Sequence, residues 1–549
     1  VDRLSQESGY DRWFLSQLAE LALLEHRVGQ GDVDDAALLL EAKQAGLTDA
    51  RIADLTGASD TAEGVSAARA ALGVMPSYHF VDTCAGEFEA ETPYFYSTWG
   101  EEDEGHPVGS QGVLIVGSGP NRIGQGLEFD TCCTLSSFAF RRAGRPTVMV
   151  NSNPETVSTD YNVSDRLYIE PLTAEDVVNV MHKESVSDVV VQLGGQTPLN
   201  MAEELEAAGA RIVGTSVASI QGAEDRKQFS SLVERLKLRQ PENRMAGSPE
   251  EVRRSAEAVG YPVLLRPSFV LGGRSMAVAY TETDLDRFLS QAPVLSAERP
   301  ILVDRFLEDA FEYDVDAVSD GRSVYVGGIM QHIEAAGVHS GDSACVFPPF
   351  KSDRRLETEM VNATAAIARE IGVAGFLNIQ FAVQDGTLYV LEVNPRASRT
   401  VPFLSKASGV DLVAAAVGVW TGRSLREQGL VAPDGDGIGV GSCVTGWAVK
   451  EAMFSFDRFL GHDPLLGPEM RSTGEAIGLG LDFGEAFAKA QIATGARLPH
   501  QGRVFVAVND HDKETILPVV RDLSDMGFSI AATRGTAAFL FEQGIMAEV

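Results

Sequence analysis

Leu377-Asn378-Ile379-Gln380-Phe381 and, after a short polar connection, Leu388-Tyr389-Val390-Leu391-Glu392-Val393-Asn394-Pro395-Arg396 decide how this chain is read. Both runs are apolar enough to be strands, and the second ends in a carboxylate and an amide. Strand side chains alternate between faces, so Glu392 and Asn394 fall together. Hard oxygen ligands of this kind, with phosphates nearby, suit Mg2+. Gln380 joins them only if it shares their face, and that depends on the connection Gln384-Asp385-Gly386. A turn of Asp385 and Gly386 alone separates Gln380 from Glu392. An odd loop with Gly386 left-handed reunites them, so a three-residue loop is expected. Arg396 and Arg399 follow directly, and so dense a polar set at a strand end points to function.

Upstream, Pro262-Val263-Leu264-Leu265-Arg266, Ile301-Leu302-Val303 and Val324-Tyr325-Val326 add antiparallel strand signals, making this region α+β. After Arg266, the run to Gly272-Gly273-Arg274 is either a plain hairpin or a flexible loop laying amides and Arg274 over phosphates. The run from Asp304 and Arg305 through Leu307 to Glu312 is either an exposed acidic loop or a linker meeting an adenine edge, with Glu312 on ribose hydroxyls. His332-Ile333-Glu334 through His339-Ser340-Gly341-Asp342-Ser343 reads as a mobile substrate-covering loop, with His339 aimed at phosphate. Zinc is not expected there, because no Cys or third ligand stands at suitable spacing.

Val113-Leu114-Ile115-Val116, Thr147-Val148-Met149-Val150 and Val189-Val190-Val191 alternate with helices, as in a doubly wound α/β domain. The loop Gly117-Ser118-Gly119-Pro120-Asn121-Arg122-Ile123-Gly124-Gln125-Gly126 opens a helix, where amides can hold an anion. It lacks the glycine spacing of a dinucleotide site, and the next strand ends in Asn151-Ser152-Asn153, so a structural or substrate-side turn is expected. Further back, Phe14, Leu18, Leu21 and Val28 share one helical face. Lys43 to Leu55 imitates a helix-turn-helix with Thr48 as N-cap, but Asp49 and Asp54 beside one Arg favour packing over phosphate contact. Gly100-Glu101-Glu102-Asp103-Glu104-Gly105 reads as a linker. From about residue 500 a small β-α-β pattern begins that is expected to be incomplete at Val549.

The bulk properties agree with a multidomain globular protein. A chain of 549 residues exceeds what one core supports, and 44% hydrophobic with 22% charged residues is ordinary for folded proteins. No apolar run approaches the roughly 20 residues a bilayer span needs. The chain opens on Val1 without Met, so it is expected to be internal to a longer protein. Five scattered cysteines suit reduced thiols in the cytoplasm. A net charge of −33 argues against nucleic-acid or anionic-membrane partners and would suit a protein adapted to high salt.

Taken in order, these segments resemble the carbamoyl phosphate synthetase large subunit over nearly the whole chain. The motifs are Gly-Pro-Asn-Arg-Ile-Gly-Gln-Gly at 119–126, Asn-Pro-Glu-Thr-Val-Ser-Thr-Asp-Tyr at 153–161, Gly-Gly-Gln-Thr-Pro at 194–198, Arg-Pro-Ser with Gly-Gly-Arg at 266–274, and Glu-Val-Asn-Pro-Arg at 392–396. The His-Ser-Gly-Asp-Ser stretch and Pro-Leu-Leu-Gly-Pro-Glu-Met-Arg-Ser-Thr-Gly-Glu at 464–475 resemble its second, carbamoyl-phosphate-forming half. The resemblance implies a multidomain fold: a helical oligomerisation domain (1–105), an α/β pre-ATP-grasp domain (106–228), an α+β ATP-grasp domain (229–498) and a truncated α/β regulatory domain like methylglyoxal synthase (499–549).

It further implies ATP-dependent phosphorylation of carbamate, as part of glutamine-dependent synthesis serving pyrimidine and arginine biosynthesis. Arg266, Arg274, Arg305, His339 and Ser340 would lie about the ATP phosphates, with Gly272, Gly273, Leu307 and Glu312 completing the nucleotide site. Gln380, Glu392 and Asn394 would hold Mg2+ or Mn2+, and Arg399 would orient carbamate. Glu334, Asp342 and Glu451 match ligands of an activator such as ornithine; Lys513, Thr533 and Thr536 match part of a nucleotide effector pocket. Implied partners are the N-terminal half and a glutaminase small subunit, and a homo-oligomer is compatible. The segment Ala432-Pro433-Asp434-Gly435-Asp436-Gly437 to Cys443 is longer than the family norm and receives no role. Rival readings are another ATP-grasp carboxylate-amine ligase or carboxylase, and a non-catalytic helical scaffold or DNA-binding module.

Overall fold

The computed structural model describes residues 1–31, 33–57, 61–88, 92–122, 126–267, 276–291, 300–458 and 464–549, in two compact units, Val1–Ala490 and Gln491–Val549. The first opens with helices Asp2–Ser8, Arg12–Val28, Ala36–Gln44, Asp49–Thr56 and Ala62–Leu72, whose core is Leu24, Val28, Leu39, Ala42, Ile52 and Val65. Thr48 is the expected N-cap, accepting a hydrogen bond from the Arg51 amide. Asp49 is buried and gripped by Arg69 at 2.8 and 2.7 Å, with Lys43 at 3.1 Å, so the apparent helix-turn-helix is a packing device. Glu175 of the next domain takes the Asp49 amide and the Lys43 ammonium. The expected apolar face is only partly right: Val28 is buried, but Phe14 and Leu18 are 58% and 61% exposed. Arg12–Val28 contributes Leu24 and Val28 to the core, with Leu21 packed against it, while Phe14 and Leu18 lie outside it.

The expected linker at 100–105 is instead tied down. Asp103 and Glu104 accept hydrogen bonds from the Tyr78 and Phe80 amides at 2.9 and 2.7 Å, and Lys183 pairs with Asp103 at 2.6 Å. The seven-stranded sheet runs Ser77–Phe80, Tyr94–Thr98, Arg166–Ile169, Thr147–Asn151, Val113–Val116, Asp188–Val190, Arg211–Ile212, parallel except for its edge hairpin. The sheet therefore reaches back across position 105. Its central strands are unbroken buried apolar runs, as a sheet covered on both faces requires.

The α+β region holds two layers, antiparallel except where Ile438–Val440 of the larger one runs parallel to Val324–Val326. In the smaller, β1 (Val263–Pro267) and β2 (Ile301–Arg305) lie between Ala277–Ala279 and Asn243–Ala246. The larger contains β3 (Phe311–Asp320), β4 (Val324–His332), β5 (Cys345–Phe347), β6 (Ala374–Gln384), β7 (Thr387–Asn394), β8 (Trp447–Met453) and β9 (Gly474–Gly480), in spatial order β7-β6-β3-β4-β5-β8-β9. The helix Arg354–Ile371 packs Leu356, Met360 and Ile367 onto Val315, Ile379, Phe381 and Val393 of one face. On the other, Phe376, Val401 and Leu412 share a core with Val113, Ile115 and Phe140 of the α/β domain.

The hairpin joining β6 to β7 corrects the expected loop. Gln384 pairs with Thr387 across a two-residue turn, with Asp385 and Gly386 both left-handed at φ 49° and 72°. Asp-Gly is well suited to this turn because both central residues tolerate positive φ. The parity is instead repaired inside the ladder: Phe381 pairs with Val390, Leu391 is the extra residue of a bulge, and Gln380 pairs with Glu392.

The second unit is a parallel pair, Arg503–Val506 and Ser529–Ala532, with helices Lys513–Asp525 and Arg534–Glu542 around Val506, Val520, Ile530 and Leu540. Among the described residues no single helix is long and apolar enough to cross a membrane.

Candidate active site

Pairing across three strands builds a polar platform. Asp314, Gln380 and Glu392 stand side by side on β3, β6 and β7, and Asp316, Asn378 and Asn394 form the next row on the same face. Gln380 donates through Nε2 to Ser340 Oγ at 3.1 Å, and Asn394 donates through Nδ2 to Glu392 Oε1 at 3.0 Å. With those amide nitrogens engaged, Gln380 and Asn394 offer their oxygens, and Glu392 its carboxylate, to a hard cation. The donor set therefore fits Mg2+, and the three ligand candidates read from sequence do come together. The second row is braced from behind: Asn378 donates to Asp316 Oδ1 at 3.0 Å, and Thr400 donates to Asp316 Oδ2 at 2.5 Å. Burial pushes the Asp316 carboxyl up to about 6, against these hydrogen bonds.

Charge is concentrated around Glu392. Burial alone would raise its carboxyl, but the guanidiniums of Arg226 and Arg266, the Asn394 hydrogen bond and Arg396 outweigh burial and hold it below the usual range. Arg266 is fixed by Asp304, Nε to Oδ2 at 2.6 Å. The two share a face because Arg266 pairs with Leu302, two residues before Asp304. Burial opposes the Arg266 charge, yet Asp304 lifts its pKa above the ordinary value.

Arg305 is turned to the other side of β2. It is exposed and donates to Val259 O at 3.2 Å, at the end of the helix Pro249–Val259. It therefore does not join Arg266, because adjacent strand residues face opposite ways. Glu312 accepts from the Gly337 amide at 3.1 Å, and Leu307 is buried with Ala310 and Ala382 against the bulge residue Leu391. This leaves a small apolar wall beside an acidic side chain, the pairing an adenosine requires. His339 accepts from the Gly341 amide through Nδ1 at 3.0 Å, which leaves Nε2–H as its donor. Burial and then Arg399 push this imidazole down to about 4, so it is neutral at physiological pH. Arg396 and Arg399 lie over the Phe129 ring at 5.6 and 5.8 Å. Gly272, Gly273 and Arg274 lie outside the described residues.

Several contributors escaped the sequence reading. Asp314 and Asp316 alternate with apolar residues in β3, the same period-two signal that exposed Glu392 and Asn394. Gln192, fully buried in the α/β domain, donates to Pro395 O at 2.6 Å and accepts from the Ala397 amide at 2.9 Å, pinning the chain as it leaves β7. Arg226, at the start of a helix far from either strand, gave no local signal. The expected lack of a third zinc-type ligand is also corrected. His332 stands opposite Cys345, and with Asp314 their ligand atoms lie within 4.8 Å of one another. His332 donates through Nε2 to Asp314 at 3.0 Å and is 3.4 Å from Glu312. Burial disfavours its charge, but Cys345, Asp314 and Glu312 raise its pKa well above the ordinary value.

At the start of the loop after Val116, the Ser118 amide donates to Asp130 and the Gly119 amide to Asn151, both at 3.1 Å. That supports the structural reading, although Ile123, Gly124 and Gln125 are outside the described residues. Glu334 accepts from the Ala344 amide at 2.6 Å, Asp342 from the Arg471 and Ser472 amides at 2.8 Å each, and Glu451 is buried on β8. In the second unit Lys513 reaches Gly535 O at 3.3 Å, and Thr533 donates to Thr536 at 3.1 Å, so these three gather at one helix end.

Four family profiles match the chain: the carbamoyl phosphate synthetase large chain oligomerisation domain at 1–73, the carbamoyl phosphate synthase preATP-grasp domain at 109–222, the ATP binding domain of the same L chain at 225–428, and an MGS-like domain at 515–549. The carbamoyl phosphate synthase large chain of Pasteurella multocida is 49% identical over 551 residues, covering 100% of this chain and 51% of the relative. That of Archaeoglobus fulgidus is 48% identical, covering 100% and 51%. This chain thus spans about half the length of the curated relatives it matches. Among solved structures, biotin carboxylase from Campylobacter jejuni superposes with TM-score 0.54 at 14% identity, over 69% of this chain and 90% of that one. The biotin carboxylase domain of Hydrogenobacter thermophilus 2-oxoglutarate carboxylase, in complex with MgADP and bicarbonate, gives 0.52 at 17%, over 67% and 86%. Both likenesses concern the fold.

Proposed function

The chain belongs to the carbamoyl phosphate synthase large-chain family, and from that premise we propose that it carries the ATP-grasp site that phosphorylates carbamate to carbamoyl phosphate. The observation that carries this reading is the alignment of Gln380 with Glu392, beside Asn394, under the arginines that keep Glu392 ionised. Phosphoryl transfer needs positioning and charge neutralisation more than covalent help from the protein. Gln380, Glu392 and Asn394 would hold Mg2+, or Mn2+ in its place, which when bound neutralises charge on the terminal phosphates. Arg266, locked by Asp304, faces the same phosphates, and Arg274 belongs to this group by its motif. Neutral His339 offers Nε2–H to a phosphate oxygen without adding charge. Arg399 orients the carbamate oxygen for in-line attack, Glu312 takes the ribose, and Leu307 lines the base. Arg305 holds a helix end.

The four domains expected from sequence stand as part of this proposal, with the strands at 77–98 joining the second. Carbamate would come from the N-terminal half and a glutaminase subunit, in the cytoplasm, for pyrimidine and arginine synthesis. Glu334, Asp342 and Glu451 would border an activator site, and Lys513, Thr533 and Thr536 part of a nucleotide effector site. The test is ATP formation from carbamoyl phosphate and Mg-ADP, comparing wild type with Glu392→Gln. Loss of that charge is expected to slow the reaction by at least about 10²-fold, the scale of other electrostatic stabilisers. An unchanged rate overturns the assignment. Product analysis separates this reading from other ATP-grasp chemistries, which give an amide or a carboxylated acceptor.

A further inference from the structure

A cavity of about 680 Å3 lies away from the platform, lined by Arg322, Arg369, Arg423 and Arg426 together with Asp320 and Asp436. Such a gathering of arginines is out of keeping with a chain carrying 78 acidic against 45 basic side chains. Arg322 sits in the turn between β3 and β4, Arg369 ends the helix Arg354–Ile371, and the other two follow the helix Leu412–Trp420.

The four divide by what they hold. Arg369 donates to Arg322 O at 3.0 Å and to the carbonyls of Asp436 and Gly437 at 3.1 and 3.3 Å. Arg426 donates to the carbonyls of Ala432, Pro433 and Gly435. These two therefore fasten the 432–437 segment as one wall of the cavity. By contrast, among the described residues the Arg322 and Arg423 side chains make no hydrogen bond and no ion pair to protein, although Glu427 feels the charge of Arg423. Asp320 forms no ion pair with either of them: its carboxylate accepts from the backbone amides of Arg322, Ser323 and Leu425 at 3.0, 2.6 and 2.9 Å. Asp436 accepts from the Ile438 amide at 3.0 Å. The lining thus presents two free guanidinium forks inside a preformed wall, and guanidinium geometry matches phosphate oxygens in pairs.

We propose that this cavity is a second anion site, separate from the platform, that binds a small molecule bearing a di- or triphosphate through Arg322 and Arg423. The 432–437 segment then has a purpose: it shapes the wall that the other two arginines secure.

The test uses the full chain and inorganic tripolyphosphate, titrated calorimetrically in about 0.15 M KCl so that loosely screened surface association is suppressed. Wild type is expected to bind one equivalent here, over and above any taken by the platform and by the effector site of the second unit. The Arg322→Gln/Arg423→Gln double variant should bind one equivalent fewer than wild type, with its melting temperature and its rate in the back reaction unchanged. Glu392→Gln, altered only at the platform, should retain the cavity equivalent with undiminished affinity. The same number of equivalents in the double variant as in wild type overturns the proposal. So does an equivalent that depends on Arg322 and Arg423 but is seen only at low salt, since that marks unspecific attraction to exposed arginines.

Discussion

Asp304 earns its place by what it does to Arg266. A charge-assisted hydrogen bond of 2.6 Å in a partly buried setting is worth about 1.5–3 kcal/mol. Asp304→Asn keeps the shape but gives up the charge, so Arg266 loses its anchor and its reinforced basicity. The expected result is a 10–100-fold fall in kcat/KM for Mg-ADP in the back reaction, with a lower melting temperature because the buried guanidinium loses its counter-charge. His339 yields a pH prediction. Its imidazole sits at about 4 in the folded chain against roughly 6.5 when unfolded, so between these values the unfolded chain binds the extra proton. Its contribution to stability is complete above pH 6.5 and is lost as pH falls toward 4. Denaturant titrations at pH 7 and pH 4.5 should show wild type losing about 2–3 kcal/mol more than His339→Asn. Equal losses would mean that the imidazole is not shielded. Glu392 and Asn394 were legible because strand alternation places them together, and Asp314 and Asp316 obey the same rule. Arg226 and Asp304 were not, since what they contribute depends on the packing of segments remote in sequence.

At the scale of an element, the β6–β7 hairpin separates what a turn determines from what a ladder determines. The strands were readable from their apolar runs, and the left-handed Gly386 from the Asp-Gly pair. The place where parity is repaired was not, because a bulge leaves no periodic mark when the extra residue, here Leu391, is as apolar as its neighbours. Leu391 packs beside Leu307 and Ala310, so the irregularity also furnishes part of the apolar wall. Two insertions make the distinction measurable. One Gly added after Gly386 lengthens an exposed turn, which costs little closure entropy, and should leave the back-reaction rate within about tenfold of wild type. One Ala added between Glu392 and Val393 moves Asn394 to the other face or forces a second bulge, and should cost more than about 10²-fold. Similar rates for the two insertions would show that the platform does not depend on register.

Across the whole molecule, the net charge of −33 is spread over 27438 Å2 of surface, and its self-repulsion opposes the compact state. The charges that hold elements together are of another kind. Lys43, Asp49 and Arg69 are at most 4% exposed at their side chains, while pairs such as Arg3 with Glu7 are 88% and 61% exposed. Added salt screens the exposed charges strongly and the buried ones weakly. Exposed attractive pairs are each worth less than about 1 kcal/mol, so their weakening should be outweighed by relief of the acidic excess. Between about 0.1 and 1 M KCl the Debye length falls from roughly 10 to 3 Å, shorter than the separation of most surface carboxylates. The melting temperature of the full chain should therefore rise over that range by several degrees, and a sodium salt of the same ionic strength should do the same if screening is the cause. A flat or falling curve would show that the exposed ion pairs, and not the acidic surplus, govern the surface. A rise with potassium alone would point to a bound cation instead of the screened field.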